Sequence, residues 1–178
     1  MSTVEESIDV KVPVRTAYNQ WTQFEEFPRF MEGVEEIRQI DDTHVRWRTK
    51  IAGVEREFDA EITEQHPDHR VAWRATEGTQ HAGVVTFHHI DDDTTRIMVQ
   101  MDTEPEGIVE QAGDKLGLLK RRVKGDLGRF KELIESRGTE SGAWRGDVEQ
   151  PGEADGGQRF ERNRTTDDAP LRSGTTNP

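Results

Sequence analysis

Polar and apolar residues alternate from Val4 to Val12. Val4, Ile8, Val10 and Val12 fall on one side, with Glu6 the polar member of that row. Glu5, Ser7, Asp9 and Lys11 fall on the other. This period of two predicts a half-buried strand. Pro13 ends it. Val14, Ala17, Tyr18 and Trp21 then recur at helical spacing and predict a short helix. Phe24, Phe27, Phe30 and Met31 crowd around Pro28, which predicts a second short helix packing inward and ending at Gly33.

Residues 34–103 return to a period of two. Val45, Trp47, Thr49 and Ile51 form one inward row, and Val54, Arg56, Phe58, Ala60 and Ile62 form the next. Val71, Trp73 and Ala75 follow, then Gly83, Val85 and Phe87, then Thr95, Ile97, Val99 and Met101. Turn residues separate the rows at Ala52–Gly53, Pro67–Asp68, Gly78 and Asp91–Asp93. Consecutive strands joined by short turns favour an antiparallel meander. The strongest periodic signal comes last. Ile108, Val109, Ala112, Leu116, Leu119, Val123, Leu127, Phe130 and Ile134 describe one long amphipathic helix over about residues 106–137. Pro105 suits its start and Gly138 its stop. The fold class is α+β, with a curved antiparallel sheet half-buried on the face that the long helix covers.

Composition changes this picture at one end. Residues 138–178 are rich in Gly and acidic side chains and hold few apolar ones, among them Trp144, Val148, Phe160 and Leu171. Such a segment buries too little surface to offset its ordering entropy, so it is predicted to be a disordered acidic tail behind a single domain of residues 1–137. The whole chain carries a formal charge of −12. That excludes a general nucleic-acid binder, which needs a basic face. Cys is absent, which removes disulfides, thiolate metal sites and Cys nucleophiles. No apolar run is long enough for stable membrane insertion, and no signal-peptide pattern opens the sequence, so a cytoplasmic location is expected.

The order of elements resembles the helix-grip fold of the START-like (SRPBCC) superfamily, which contains polyketide cyclases/dehydrases and lipid-transport proteins. The resemblance spans residues 2–137. Ile8, Val10, Val12, Pro13, Val14, Ala17, Tyr18 and Trp21 resemble the family's opening strand and first helix. The stretch Phe27-Pro28-Arg29-Phe30-Met31, the strand Gly83–Phe87 and the segment Asp126–Lys131 resemble its later landmarks. What this implies is a START/Bet v 1-like sheet gripping a long C-terminal helix, with a cavity between them. The family has no universal catalytic residues, so no catalytic set is implied, and function must be argued from the site.

The inward rows name the expected lining. Trp47, Phe58, Trp73, Val85, Phe87 and Met101 stand on the sheet side, Ala112, Leu116 and Leu119 on the helix side, and Phe30 at the lip. Thr49, Arg56 and His81 share the inward parity. An arginine on an apolar face either snorkels to the rim or holds a ligand carboxylate or enolate. His81 is either a solvated rim residue or a general base. His88 and His89 point to opposite faces of a strand and His66 and His69 flank a turn, so no metal site is expected, and no cofactor.

The first expected function is binding of a hydrophobic small molecule, a lipid, polyketide or isoprenoid, without chemistry. The alternative is a polyketide cyclase/dehydrase acting on a poly-β-keto chain, with Arg56 or His81 assisting enolisation. A third reading is a non-catalytic interaction protein with a filled core. It draws on Lys115, Lys120, Arg121, Arg122, Lys124, Arg129 and Lys131, which crowd the final helix and offer a docking face for an acidic protein partner.

Overall fold

The computed structural model describes residues 2–51, 53–77, 81–103 and 115–149. Strand β1 (Ser2–Val10) leads into helix α1 (Val14–Trp21) and a short 3₁₀ helix, Phe24–Arg29. Then come β2 (Val34–Gln39), β3 (His44–Ile51), β4 (Val54–His66), β5 (Arg70–Ala75), β6 (His81–Asp91) and β7 (Thr94–Thr103), and helix α2 (Lys115–Arg137). The seven strands form one antiparallel sheet in the order β1-β7-β6-β5-β4-β3-β2. The meander runs outward from β7, and β1 closes its far side by pairing with β7.

The alternating rows behave as the period of two requires. Val10, Val45, Val71, Val85, Ile97 and Val99 are buried on one face. Gly53, with φ of 79°, supplies the left-handed residue that the β3–β4 hairpin needs. The second short helix is a 3₁₀ helix with Pro28 inside it.

Helix α2 lays Val123, Leu127, Phe130 and Ile134 on the sheet face, all buried. The part of the expected helix before Lys115, including Ala112, lies outside the described residues. Beside β1, the Lys131 ammonium donates to Asp9 O at 2.7 Å and Glu135 Oε1 accepts from Lys11 N at 2.8 Å. At one end of the domain, Phe130 packs edge-on against Trp21 (5.0 Å between centroids) and Phe30 (5.1 Å), and Tyr18 packs edge-on against Phe87 (5.4 Å).

Residues 138–149 run back across α1 as a strap tied by polar bonds. Asn19 Nδ2 donates to Glu140 Oε1 (2.9 Å), Ser141 N to Gln20 Oε1 (2.9 Å) and Trp144 N to Thr22 Oγ1 (3.0 Å). Arg145 clamps Asp68 with two bonds of 3.0 and 2.8 Å and donates to Asn19 Oδ1 at 2.7 Å. Its guanidinium sits 5.7 Å from the Tyr18 ring centroid, and Val148 bridges to Gln65. These contacts involve residues that the sequence predicts to be a disordered tail. Low apolar content did not prevent docking, because charge-assisted bonds replace burial here. Residues 150–178 lie outside the described residues.

Candidate functional site

At the end of the domain away from the strap, the sheet and α2 do not fill the space between them. A cavity of about 290 Å³ remains. Trp47 and Thr49 from β3, Arg56 and Phe58 from β4, Trp73 from β5, His81 from β6, and Val99 and Met101 from β7 form one wall. Leu119, Arg122, Val123, Asp126 and Leu127 of α2 form the other, with Trp21 and Met31–Val34 closing the side. A void of about 30 Å³ lies against Trp21, Met31, Trp47 and Trp73 and extends toward Phe24 and Phe27. A larger trough of about 560 Å³ lies on the opposite, solvent side of the sheet among Glu61, Arg74, Gln100 and Asp102. It is mixed in polarity, and the mainly apolar, aromatic-walled cavity is the better small-molecule site.

Register explains the aromatic wall. Trp47 faces Phe58 across the β3–β4 ladder, and their rings stack at 5.9 Å with planes 8° apart. Trp73 faces Gly83, which faces Met101 in turn. The glycine leaves room for the indole to lie across the sheet. His81 completes the cluster, 6.2 Å between centroids from both Phe58 and Trp73. Burial lowers the His81 pKa, which favours a neutral imidazole.

The mouth is polar. Asp126 Oδ1 accepts from Glu32 N at 3.0 Å and from Arg129 Nη2. Arg122 Nη1 donates to Glu32 O at 3.2 Å, and Arg129 Nε donates to Phe30 O at 2.9 Å. These bonds staple the Phe30–Glu32 segment to α2. Burial raises the Asp126 pKa, opposed by the bonds from Arg129 and Glu32. Arg56 stands exposed at the rim.

Of the expected lining residues, the structure brings together Trp47, Thr49, Arg56, Phe58, Trp73, His81, Met101 and Leu119. Phe30, Val85 and Phe87 are not among the residues around this cavity. Phe30 is enclosed by Trp21, Phe27 and Phe130, Phe87 by Tyr18 and Trp21, and Val85 is fully buried. Val85 and Phe87 share the inward parity of β6, and Phe30 follows the 3₁₀ helix; all three pack in the filled core. Leu116 lies in α2, and its side chain, like Ala112, is outside what is described. Trp21, Glu32, Arg122 and Asp126 were missed. Asp126 carried a readable signal, since it stands four residues after Arg122 and three before Arg129, the spacing of an ion network on one helix flank. Glu32 carried none.

The single basic face also dissolves. Arg122 and Arg129 lie on the flank that holds the 30–32 segment, while Lys120 and Lys131 lie on the other, against Glu6 (3.7 Å) and Glu135 (3.2 Å). The cavity likewise removes the reading of a completely filled core. No helix among the described residues is long and apolar enough to cross a membrane.

The family model for polyketide cyclases/dehydrases and lipid transport matches residues 10–132. The chain belongs to this polyketide cyclase/dehydrase and lipid-transport family. The matched span contains every residue that lines the cavity. An uncharacterized 17.2 kDa protein of Streptomyces lincolnensis, named for the melC2–rnhH intergenic region, is 62% identical over 149 residues, 83% of this chain and 99% of its own length. A START superfamily protein from Mycobacterium smegmatis matches with a TM-score of 0.61 at 14% identity, over 76% of this chain and 95% of its own. The Zhui aromatase/cyclase of Streptomyces sp. R1128 matches with a TM-score of 0.63 at 15% identity, over 80% and 99%. At these two identities the likeness is one of fold.

Proposed function

We propose that the chain binds an aromatic or otherwise apolar small molecule in the cavity between the sheet and α2. The observation that carries this reading is the aromatic cavity of about 290 Å³. A cavity of about 150 Å³ accepts benzene. This one therefore suits a ligand of about two fused rings, or a chain folded to that size. The flat faces of Trp47, Phe58 and Trp73 favour ring stacking. Native mass spectrometry of the protein purified from its own host tests the proposal. A retained apolar ligand supports it. An empty protein that also fails to take up naphthalene or 2-naphthol removes it.

One observation favours a second reading, catalysis of cyclisation or dehydration on a poly-β-keto chain. His81 is a half-buried imidazole whose pKa burial lowers, in the same cavity as Arg56 and Asp126. A neutral imidazole takes a proton from a carbon between two carbonyls, and the Arg56 guanidinium offsets the enolate charge that forms. Holding the chain folded supplies the rest of the rate. Family membership and the Zhui fold likeness are consistent with this reading. Turnover of a poly-β-keto substrate that falls at least tenfold in His81→Phe supports it, and unchanged turnover removes it.

A further inference from the structure

The strap, residues 138–149, lies beyond the span that the family model matches. It nevertheless reaches one residue of the cavity wall through its neighbours. Trp21 ends α1, and it borders both the cavity and the small void beside it. Its indole also packs against Phe30, Phe87 and Phe130, with ring centroids 5.8, 6.3 and 5.0 Å away. Trp21 therefore stands where the filled core meets the open space.

Three buried polar residues flank Trp21, and the strap supplies partners to each. Asn19 donates through Nδ2 to Glu140 and accepts at Oδ1 from Arg145, so both ends of its amide bond to the strap. Gln20 accepts at Oε1 from Ser141 N and donates through Nε2 to Ser141 Oγ at 3.2 Å. Thr22 Oγ1 accepts from Trp144 N while it donates to Asn19 O at 2.6 Å, which closes the end of α1. A buried amide or hydroxyl that loses its partner carries a desolvation penalty. With the strap away, these side chains regain partners by turning toward water. A helix of 8 residues has little stability of its own to resist that. Trp21 moves with them.

We infer that the strap sets the position of Trp21 and thereby the affinity of the cavity, so that strap docking and ligand binding are coupled through the end of α1. This inference rests on the cavity-binding reading above. The coupling is reciprocal by linkage, and a bound ligand holds the strap down by the same factor. Anything that lifts the strap then lowers the occupancy of the cavity.

Equilibrium dialysis of the full chain against naphthalene tests the inference, with wild type beside the double variant Glu140→Ala, Arg145→Ala. Both substitutions remove anchors of the strap, and neither residue lines the cavity. The double variant is expected to bind naphthalene about fivefold more weakly, the low end of ordinary coupling. Without any probe, its Trp21 indole N–H signal is expected to shift in proton–nitrogen NMR spectra. Trp144→Pro removes the N–H that Thr22 accepts, and it should act in the same direction. Glu135→Ala strands Lys11 N on the flank of α2 beside β1 and is the control for lost stability, with affinity unchanged. Wild-type affinity in both strap variants overturns the inference. So does an unmoved Trp21 signal in both, or an equal loss of affinity in Glu135→Ala. Failure of wild type to bind naphthalene or 2-naphthol overturns the cavity reading instead, since the Trp21 signal is read without a probe.

Discussion

The Trp73 indole occupies the space that a side chain at Gly83 would need. A Cβ at Gly83 would stand 2.7 Å from Trp73 Cη2 and closer still to Cζ2. The two residues are paired across the β5–β6 ladder, so neither backbone can yield without breaking the register. A glycine here is a condition for the shape of the site.

Gly83→Ala therefore displaces the indole into the cavity. The expected cost is about 1–3 kcal/mol of stability, as for other overpacked sites. Denaturant titration measures it. Binding of 2-naphthol should weaken in the same variant, and unchanged binding would show that the indole does not shape the site.

His81 makes stability depend on pH. Burial holds its pKa below the ordinary 6.5, so between these values the unfolded chain binds more protons than the folded one. The stability is fully present above about pH 6.5 and falls as the pH drops toward the lowered folded value. The charged groups around the cavity are Arg56, Glu32, Arg122 and Asp126. Asp126 shifts the other way, above 3.8, so its contribution falls as pH rises through a lower window. In melting curves taken about one pH unit either side of 6.5, His81→Phe should lose less stability on acidification than wild type. Equal losses would place the proton uptake elsewhere.

Arg145 anchors the strap through two bonds to Asp68 and one to Asn19. Arg145→Ala leaves both partners short of a donor and should cost about 2 kcal/mol in a denaturant titration. A chain ending at 137 should be less stable than one ending at 149, because the second keeps the strap. Identical midpoints for the two chains would show that the strap contributes nothing.

At the mouth, Asp126 accepts from Glu32 N and from Arg129. Asp126→Ala strands both donors and should cost about 1–3 kcal/mol. Asp126→Asn keeps an acceptor oxygen and removes a charge that burial already disfavours, so it should recover most of that loss. Thermal melts of the pair check the order, and equal losses would assign the effect to charge alone.

Much of the cavity wall was legible because strand parity depends on neighbouring residues only. Trp47, Phe58, Trp73 and Met101 follow from a period of two, and His81 and Arg56 share it. Parity says which face a side chain takes, but it does not say whether something meets it there. Phe87 and Val85 have the same parity as Trp73, yet both are buried, with Tyr18 and Trp21 of α1 packed on Phe87, while the space beside Trp73 stays open. The Asp126 staple depends on a segment more than 90 residues away in sequence, Glu32, and local pattern does not carry such a pairing. The strap is similar, since its contacts join residues 77 to 126 positions apart through polar bonds rather than apolar periodicity.

By itself, the sequence determined the strands, the short α1, the C-terminal helix and the face each one buries, since periodicity and turn chemistry act over a few residues. Tertiary structure alone decided where the helix stops filling the sheet, which aromatic side chains become wall rather than core, and that Trp73 and His81 keep buried nitrogens without partners among the described residues. Those outcomes depend on distances between elements remote in the chain, and close packing leaves each one sensitive to every side chain in between.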